Sequence, residues 1–113
     1  MEQIDYKEFL RVDIRVGQIV EVKYFNEARK PAYQLKIDFG DDIGIRSSSA
    51  QITERYSPDD LMNRQVVAVV NFPSKRIAGF KSEVLILGAV DNSDRDVVLI
   101  GPSNPTQLGR RIR

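Results

Sequence analysis

The chain has 113 residues, of which 42% are hydrophobic and 29% are charged, and its formal net charge is +1 at pH 7. These values are ordinary for one soluble globular domain, and no apolar run approaches the roughly 20 residues that a membrane-spanning helix needs. The sequence contains no cysteine and no histidine. This excludes disulfides and thiolate metal sites, and it removes the commonest general base near neutral pH.

We therefore expect a single domain over residues 1–113 that has no enzymatic activity, no cofactor and no metal. The N-terminal segment is charged from its second residue and lacks the apolar stretch of a signal peptide, so a cytoplasmic location without membrane insertion is expected.

A short helix is predicted over Tyr6–Leu10. Asp5 is a suitable N-cap, Glu8 can reach back to that cap, and Ile4 and Phe9 have the spacing of a hydrophobic staple. Because so short a helix is unstable alone, its apolar side must pack on the domain or on a second subunit.

The first strand is predicted from the alternation of Val12, Ile14 and Val16 with polar neighbours. Gly17 interrupts this pattern, which then resumes toward Tyr24. A glycine inside a strand usually marks a bulge or a bend, so we predict a long first strand that bends at Gly17.

The second strand is predicted over residues 32–39, where apolar and polar residues alternate. Residues 40–42 form a tight turn, and a third strand is predicted to begin at Ile43 in a hairpin with the second. The basic residues that these strands could present on one shared exposed face are Arg15, Lys36 and Arg46.

A second short helix is predicted between the third and fourth strands, because Ser57 is a suitable N-cap and a proline and two acids follow it. Residues 65–72 form an apolar run that we expect to be a strand buried on both faces. Further apolar strands are predicted over residues 84–89 and 97–100. Residues 106–113 are too polar to belong to the core.

This order predicts an all-β fold, a five-stranded OB-fold barrel with a short helix between strands 3 and 4. Short extensions precede and follow the barrel, a helical one at residues 1–10 and a basic one at residues 101–113. An SH3-like barrel would lack the central helix.

Two segments, residues 71–82 and 101–113, together carry six cations and no acid. A basic loop and tail suit an anionic ligand such as nucleic acid, although solvated loops are often charged as well. The cations of the first segment, which we interpret as phosphate contacts, are Lys75, Arg76 and Lys81.

Three other residues of the basic loop have alternative roles. Phe80 could stack on a base or receive an apolar peptide side chain, or it could pack on the barrel as a lid. Ser82 could bind RNA or stabilise the backbone of its own loop. Asn71 is expected to organise the loop.

The motif order resembles that of the tRNA-binding OB domain, which occurs at the C-terminus of many methionyl-tRNA synthetases and in free-standing tRNA-binding proteins. The segments that carry the resemblance are Asp13-Ile14-Arg15-Val16-Gly17, Ile52 to Leu61 and Asn71 to Ser82. Within that family the chain looks most like the CsaA-type secretion chaperones, through residues 48–53 and 82–88. The resemblance implies a homodimer that binds unfolded or exported polypeptides, with structure-specific tRNA binding as the alternative.

Two positions depart from the family pattern. Gln51 stands where a glycine is usual, and Leu85 stands where a methionine is usual. If residue 85 packs against RNA, the change weakens tRNA binding; if it lies in the core, leucine for methionine nearly conserves volume. The residues implied in RNA or peptide binding are Arg15, Lys36, Arg46, Asn71, Lys75, Arg76, Phe80, Lys81, Ser82 and Leu85.

Overall fold

The computed structural model describes residues 1–113. In chain order its elements are α1 (Tyr6–Leu10), β1 (Ile14–Tyr24), β2 (Tyr33–Asp38), β3 (Ile45–Ala50), α2 (Pro58–Leu61), β4 (Gln65–Val69), β5 (Lys75–Ile77), β6 (Phe80–Ser82), β7 (Leu85–Ile86), β8 (Gly88–Val90) and β9 (Val97–Leu99).

Five strands form one antiparallel sheet in the order β3-β2-β1-β4-β7, and β5–β6 and β8–β9 form separate two-stranded ribbons. The backbone N–H groups of Glu83 and Val84 both donate to the carbonyl oxygen of Ser47, at 2.8 and 3.3 Å, so the segment before β7 meets the outer edge of β3. The sheet is thereby a nearly closed barrel, and α2 lies between β3 and β4. The predicted OB fold is confirmed.

The barrel interior is filled by the alternate residues that the sequence pattern indicates. In β2 and the residue after it, Tyr33, Leu35, Ile37 and Phe39 are all buried, and they belong to a main core cluster of 11 residues. Burial of these side chains is the main force that holds the sheet in its curled form.

The predicted burial of the fourth strand on both faces is also confirmed. Val66 and Ala68 of β4 point into the main core, whereas Val67 and Val69 belong to a second cluster with residues of β1. Because successive side chains of a strand alternate between faces, β4 separates the two clusters.

Helix α1 covers the second cluster through Phe9, with Val12 beside it. The Glu8 carboxylate accepts a hydrogen bond from the Asp5 N–H at 3.3 Å, which is the reach back to the cap that the sequence predicts. Ile4 is 64% exposed, so the predicted staple does not bury this residue.

The bulge that a glycine inside a strand suggests does not lie at Gly17. Strand β1 continues through Gly17, and its register with β2 shifts later, between Ile19 and Glu21. A Cβ atom on Gly17 would lie 2.6 Å from Cγ2 of Ile37 and 2.7 Å from the ring of Phe39. The glycine is therefore required by close packing across the barrel.

The third strand begins at Ile45, two residues after the predicted start. The Gly44 N–H donates to the Gly40 carbonyl at 2.7 Å, and Phe39 N–H donates to the Gly44 carbonyl at 3.0 Å. Gly44 has a positive φ of 78°, which extends the turn through this residue.

The predicted core strand over residues 84–89 is also corrected. The structure divides it into β7 and β8, and Leu85 is 49% exposed. Between them, the Leu87 N–H donates to the Val67 carbonyl at 2.9 Å, and the Leu87 side chain joins the second cluster. The apolar run therefore contributes to both clusters, with Val84 and Ile86 in the main core and Leu87 in the second.

The polar C-terminal segment is an additional edge of the sheet. Gly109 N–H donates to the Val16 carbonyl at 2.8 Å, Val16 N–H donates to Arg110 at 2.9 Å, and Ile112 N–H donates to Ile14 at 2.8 Å. The tail thus occupies the edge of β1 beyond the end of β2. Its polar side chains are compatible with this position because its attachment uses the backbone.

Candidate functional site

The basic loop of the sequence analysis is a β-hairpin. Strands β5 and β6 pair in register and are joined by Ala78 and Gly79, whose φ angles are 47° and 83°. Two central residues with positive φ are the mark of a type I′ turn, which matches the twist of the strands it joins. The hairpin therefore presents its cations from a defined scaffold.

The hairpin has two faces with different chemistry. Arg76 pairs directly with Lys81, so these exposed side chains share the outer face. Cross-strand pairs of like charge destabilise a sheet, and a bound anion would relieve this repulsion. Lys75 pairs with Ser82 and lies on the opposite face.

Phe80 packs edge-on against the buried ring of Phe25, with ring centroids 5.4 Å apart and an interplanar angle of 64°. It shares the inner face of the hairpin with its cross-strand neighbour Ile77. Of the two alternatives for Phe80, this contact matches packing on the barrel.

Ser82 and Glu83 attach the hairpin to the edge of β3. The Ser82 Oγ accepts a hydrogen bond from the Ser49 N–H at 3.0 Å. The Glu83 Oε1 accepts from the N–H and the hydroxyl of Ser47, both at 3.2 Å. Of the two alternatives for Ser82, the geometry matches stabilisation of backbone. The backbone group that it bonds belongs to β3, however, and not to its own loop.

The register does not bring Lys36 and Arg46 onto a shared face. Arg46 pairs with the buried Ile37, whereas Lys36 pairs with Ser47, so the two cations point to opposite sides of β2 and β3. Arg46 Nη1 lies 3.5 Å from a carboxylate oxygen of Glu83. The expected basic sheet face is therefore not formed.

Arg15 lies in a cluster that holds the C-terminal tail. Its Nε donates to Asp13 Oδ1 at 2.6 Å, and its Nη1 donates to the Gly109 carbonyl at 3.0 Å. Arg111 lies 3.7 Å from the same carboxylate oxygen, and its Nη2 donates to the Leu10 carbonyl at 2.6 Å. The hydrogen bond from Arg15, with the charges of both arginines, lowers the pKa of Asp13.

Asn71 joins β4 to the start of β1. Its Oδ1 accepts from the Asp13 N–H at 2.9 Å, and its Nδ2 donates to the Arg11 carbonyl at 2.8 Å. Both ends of the amide are used by backbone groups. Asn71 thus organises the approach to the hairpin, and Arg15 organises the tail.

An open groove lies between the inner face of the hairpin, the end of β3 and the ribbon β8–β9. Its volume is about 470 Å³, and ten of its 16 lining residues are hydrophobic. Lys75 and Ser82 border it, and the two positions that depart from the family pattern, Gln51 and Leu85, both line it. The groove is of the size and composition of sites that bind apolar groups.

The sequence analysis did not identify this groove, because its walls come from segments far apart in the chain. Ile77, Val97 and Leu99 contribute to it from the hairpin and from β9. The apolar run itself gave no signal, because the exposure of Leu85 beside the buried Val84 becomes visible only in the structure.

The acidic turn over residues 91–96 is closed by its own side chains. The Asp91 carboxylate accepts from the hydroxyl and N–H of Ser93, which lowers the pKa of Asp91. Asp96 forms two hydrogen bonds of 2.7 Å with Arg55. These carboxylates thus have partners within the protein.

The family model described as "Putative tRNA binding domain" matches residues 14–111. The chain belongs to this family. It is also 36% identical, over all of its 113 residues, to the methionine–tRNA ligase of Thermococcus onnurineus. This tRNA-binding domain spans only 15% of the length of that ligase.

Two solved structures are similar over nearly the whole chain. The CsaA chaperone of Bacillus anthracis is 50% identical with a TM-score of 0.93, and 99% of this chain and all of that one are covered. The CsaA chaperone of Picrophilus torridus is 52% identical with a TM-score of 0.91, over 98% and 100% of the two chains. The recognition of a CsaA-like member of the tRNA-binding family is confirmed.

Neither helix of this tRNA-binding domain has the length and hydropathy needed to span a bilayer.

Proposed function

We propose that this protein is a non-enzymatic chaperone of the CsaA type, which acts in the cytoplasm and binds unfolded or exported polypeptides. The observation that carries the proposal is the likeness to two CsaA chaperones at 50% and 52% identity, each of which the chain covers completely. The likeness to methionine–tRNA ligases involves only 15% of their length, and so supports a domain function rather than the ligase reaction.

The apolar groove supports polypeptide binding. An unfolded chain exposes apolar side chains, and burying one of leucine size contributes about 1.5–3 kcal/mol. Leu85 is 49% exposed at the groove and can contribute apolar surface to such a contact without any rearrangement of the core.

The test is suppression of aggregation when a chemically unfolded reporter enzyme is diluted into buffer that contains the protein. We expect suppression at stoichiometric amounts by the wild-type protein and a marked loss with Leu85→Glu. Ile45→Glu is the matched control. Ile45 is 58% exposed and begins β3, whereas the groove lies at the opposite end of that strand, at Ser49 and Ala50. Failure of the wild-type protein to slow aggregation would refute the chaperone proposal.

We further propose that the protein is a homodimer in which α1 contacts the second copy. Tyr6 of this helix is 65% exposed, and Ile4 before it is 64% exposed. Phe9 of the same helix packs on the second cluster, so the exposed apolar residues lie next to that contact. Association would remove this apolar surface from water. Sedimentation velocity at micromolar concentration should show a dimer, and Tyr6→Glu should shift it toward monomer; a wild-type monomer would contradict the proposal.

A second candidate function is tRNA binding, which the family and the outer face of the hairpin favour. The double change Arg76→Ala, Lys81→Ala should weaken binding of tRNA and reduce the slope of log affinity against log salt by roughly 1.4 to 1.8, since each phosphate contact contributes roughly 0.7 to 0.9. Adding Lys75→Ala should weaken binding further. The control removes the exposed cations Lys7 and Lys23, and an equal effect in both variants would refute the site.

A further inference from the structure

The outer edge of β3 is bonded to the rest of the protein only along part of its length. In an antiparallel pair, only every second residue of a strand forms hydrogen bonds with its neighbour. The backbone N–H and carbonyl groups of Ser47 and Ser49 in β3 therefore point away from β2, toward the outer edge of the sheet. Ser47 is fully used, because its carbonyl accepts from Glu83 and Val84 and its N–H donates to the Glu83 carboxylate. The Ser49 N–H donates to Ser82 Oγ.

After the Ser49 N–H, the outer edge of β3 forms no further regular hydrogen bond with the protein. The Ser49 carbonyl accepts only a long contact of 3.4 Å from the neighbouring Ser48 hydroxyl, and the Gln51 N–H donates to no protein group. A free acceptor at one residue and a free donor two residues later are the pair of groups that an added strand uses. Both residues line surface depressions, which they share with Ile77 of the hairpin.

Ser49 and Gln51 stand between two depressions. One is the apolar groove of about 470 Å³, and the other, of about 490 Å³, lies between the hairpin tip and the loop that joins β1 to β2. The side chains of a bound strand would point alternately to its two faces. An added strand along this edge would therefore place one set of side chains in the apolar groove.

Backbone chemistry indicates which polymer fits, and charge indicates the composition of the bound segment. The basic residues that line the two depressions are Arg29, Lys30 and Lys75, against the two acids Glu27 and Asp94, and none of the five forms an ion pair in the structure. An extended segment with apolar residues and a carboxylate complements this lining. Nucleic acid offers no backbone that alternates donors with acceptors, so polypeptide is the occupant that the edge favours.

We propose that an extended polypeptide segment adds to the free edge of β3, bonding the Ser49 carbonyl and the Gln51 N–H while its apolar side chains enter the groove. The inference rests on the proposed chaperone function and supplies its binding mode. Main-chain bonds provide affinity that does not depend on sequence, and the groove selects apolar side chains. In parallel pairing one residue of the segment bonds both groups; in antiparallel pairing two residues do, two positions apart.

The experiment is amide hydrogen exchange by NMR on the full chain, with and without a short capped peptide that alternates valine with threonine and glutamate. Saturating peptide should slow exchange of the Gln51 amide about tenfold or more, because the amide becomes hydrogen-bonded. The Ser49 amide is the internal control, since its bond to Ser82 already exists. N-methylation of the peptide at successive positions should weaken binding about fivefold at the one position whose N–H donates to the Ser49 carbonyl, and little elsewhere.

A peptide that binds without changing Gln51 exchange, or that loses affinity equally at every N-methylated position, would overturn the inference. Protection of Gln51 by a short single-stranded RNA instead of the peptide would also overturn it. Suppressed aggregation without Gln51 protection would refute the binding mode and leave the chaperone function. Protection of Gln51 without suppressed aggregation would support the strand addition and refute the chaperone function.

Discussion

Replacement of Gly109 by alanine tests whether the C-terminal tail stabilises the barrel. Gly109 has a positive φ of 87°, and a Cβ atom there would lie 2.5 Å from the carbonyl oxygen of Phe39. Gly79 in the hairpin turn has nearly the same φ of 83°, but a Cβ atom there would meet nothing within 4 Å. The pair separates the backbone strain, which both share, from the clash, which only Gly109 has.

The magnitudes follow from this geometry. A non-glycine residue in the left-handed region costs roughly 1–2 kcal/mol, which is the expected loss of stability for Gly79→Ala. At Gly109 the clash with backbone cannot be relieved by a side-chain movement, so the tail must leave β1. That releases three backbone hydrogen bonds, each with a net value of about 1 kcal/mol, and we expect a loss of about 3 kcal/mol.

The assay is equilibrium unfolding in guanidinium chloride, followed by far-ultraviolet circular dichroism. The difference of about 1–2 kcal/mol between the variants is measurable as a shift in midpoint. A chain that ends at Gln107 should match Gly109→Ala, because both lack the docked tail. If Gly109→Ala were no less stable than Gly79→Ala, the clash with Phe39 would not displace the tail; if the chain that ends at Gln107 were as stable as the wild-type protein, the tail would contribute nothing to the barrel.

Further predictions concern strand β1 and the residues just before it. Because the pKa of Asp13 is lower in the folded protein, its contribution to stability is complete above the unfolded value of about 3.9 and is lost as pH falls toward the folded value. Asp13→Asn should therefore be less stable at pH 7 and lose less on acidification, as measured by thermal unfolding from pH 7 to pH 2; an unchanged pH profile would contradict the cluster. Asn71→Ala should lower the free energy of unfolding by about 1–3 kcal/mol, since two backbone groups lose their partner; urea unfolding checks this. Gly17→Ala should cost about 1–3 kcal/mol through overpacking against Ile37 and Phe39, and a wild-type midpoint would show that the barrel has room there.

Much of the fold could be predicted because a strand buried on one face and a strand buried on both faces have different sequence patterns. The alternation in residues 32–39 and the continuous apolar run at residues 65–70 specify how each segment is buried, and the cap at Ser57 specifies the helix between them. The position of the register shift in β1 could not be predicted from Gly17, since this glycine is required by packing against Ile37 and Phe39, a contact between segments that the local pattern does not contain.

The candidate site was predicted less completely. The sequence identifies the cations of the hairpin but not their faces, because a shift of one residue in register reverses every side chain. Lys36 and Arg46 show the effect: each is an outward residue by alternation, yet the pairing of β2 with β3 separates them. The free groups at Ser49 and Gln51 belong to the backbone and have no signature in side-chain composition.

The docked tail also has a consequence for folding. Residues 109–112 bond β1 at residues 14–16, so the first strand acquires its last partner from the far end of the chain. Contacts of such long sequence separation slow folding. During synthesis, the edge of β1 therefore stays open to pairing with other strands until the tail has emerged, and a fragment cut before residue 108 would expose that edge permanently.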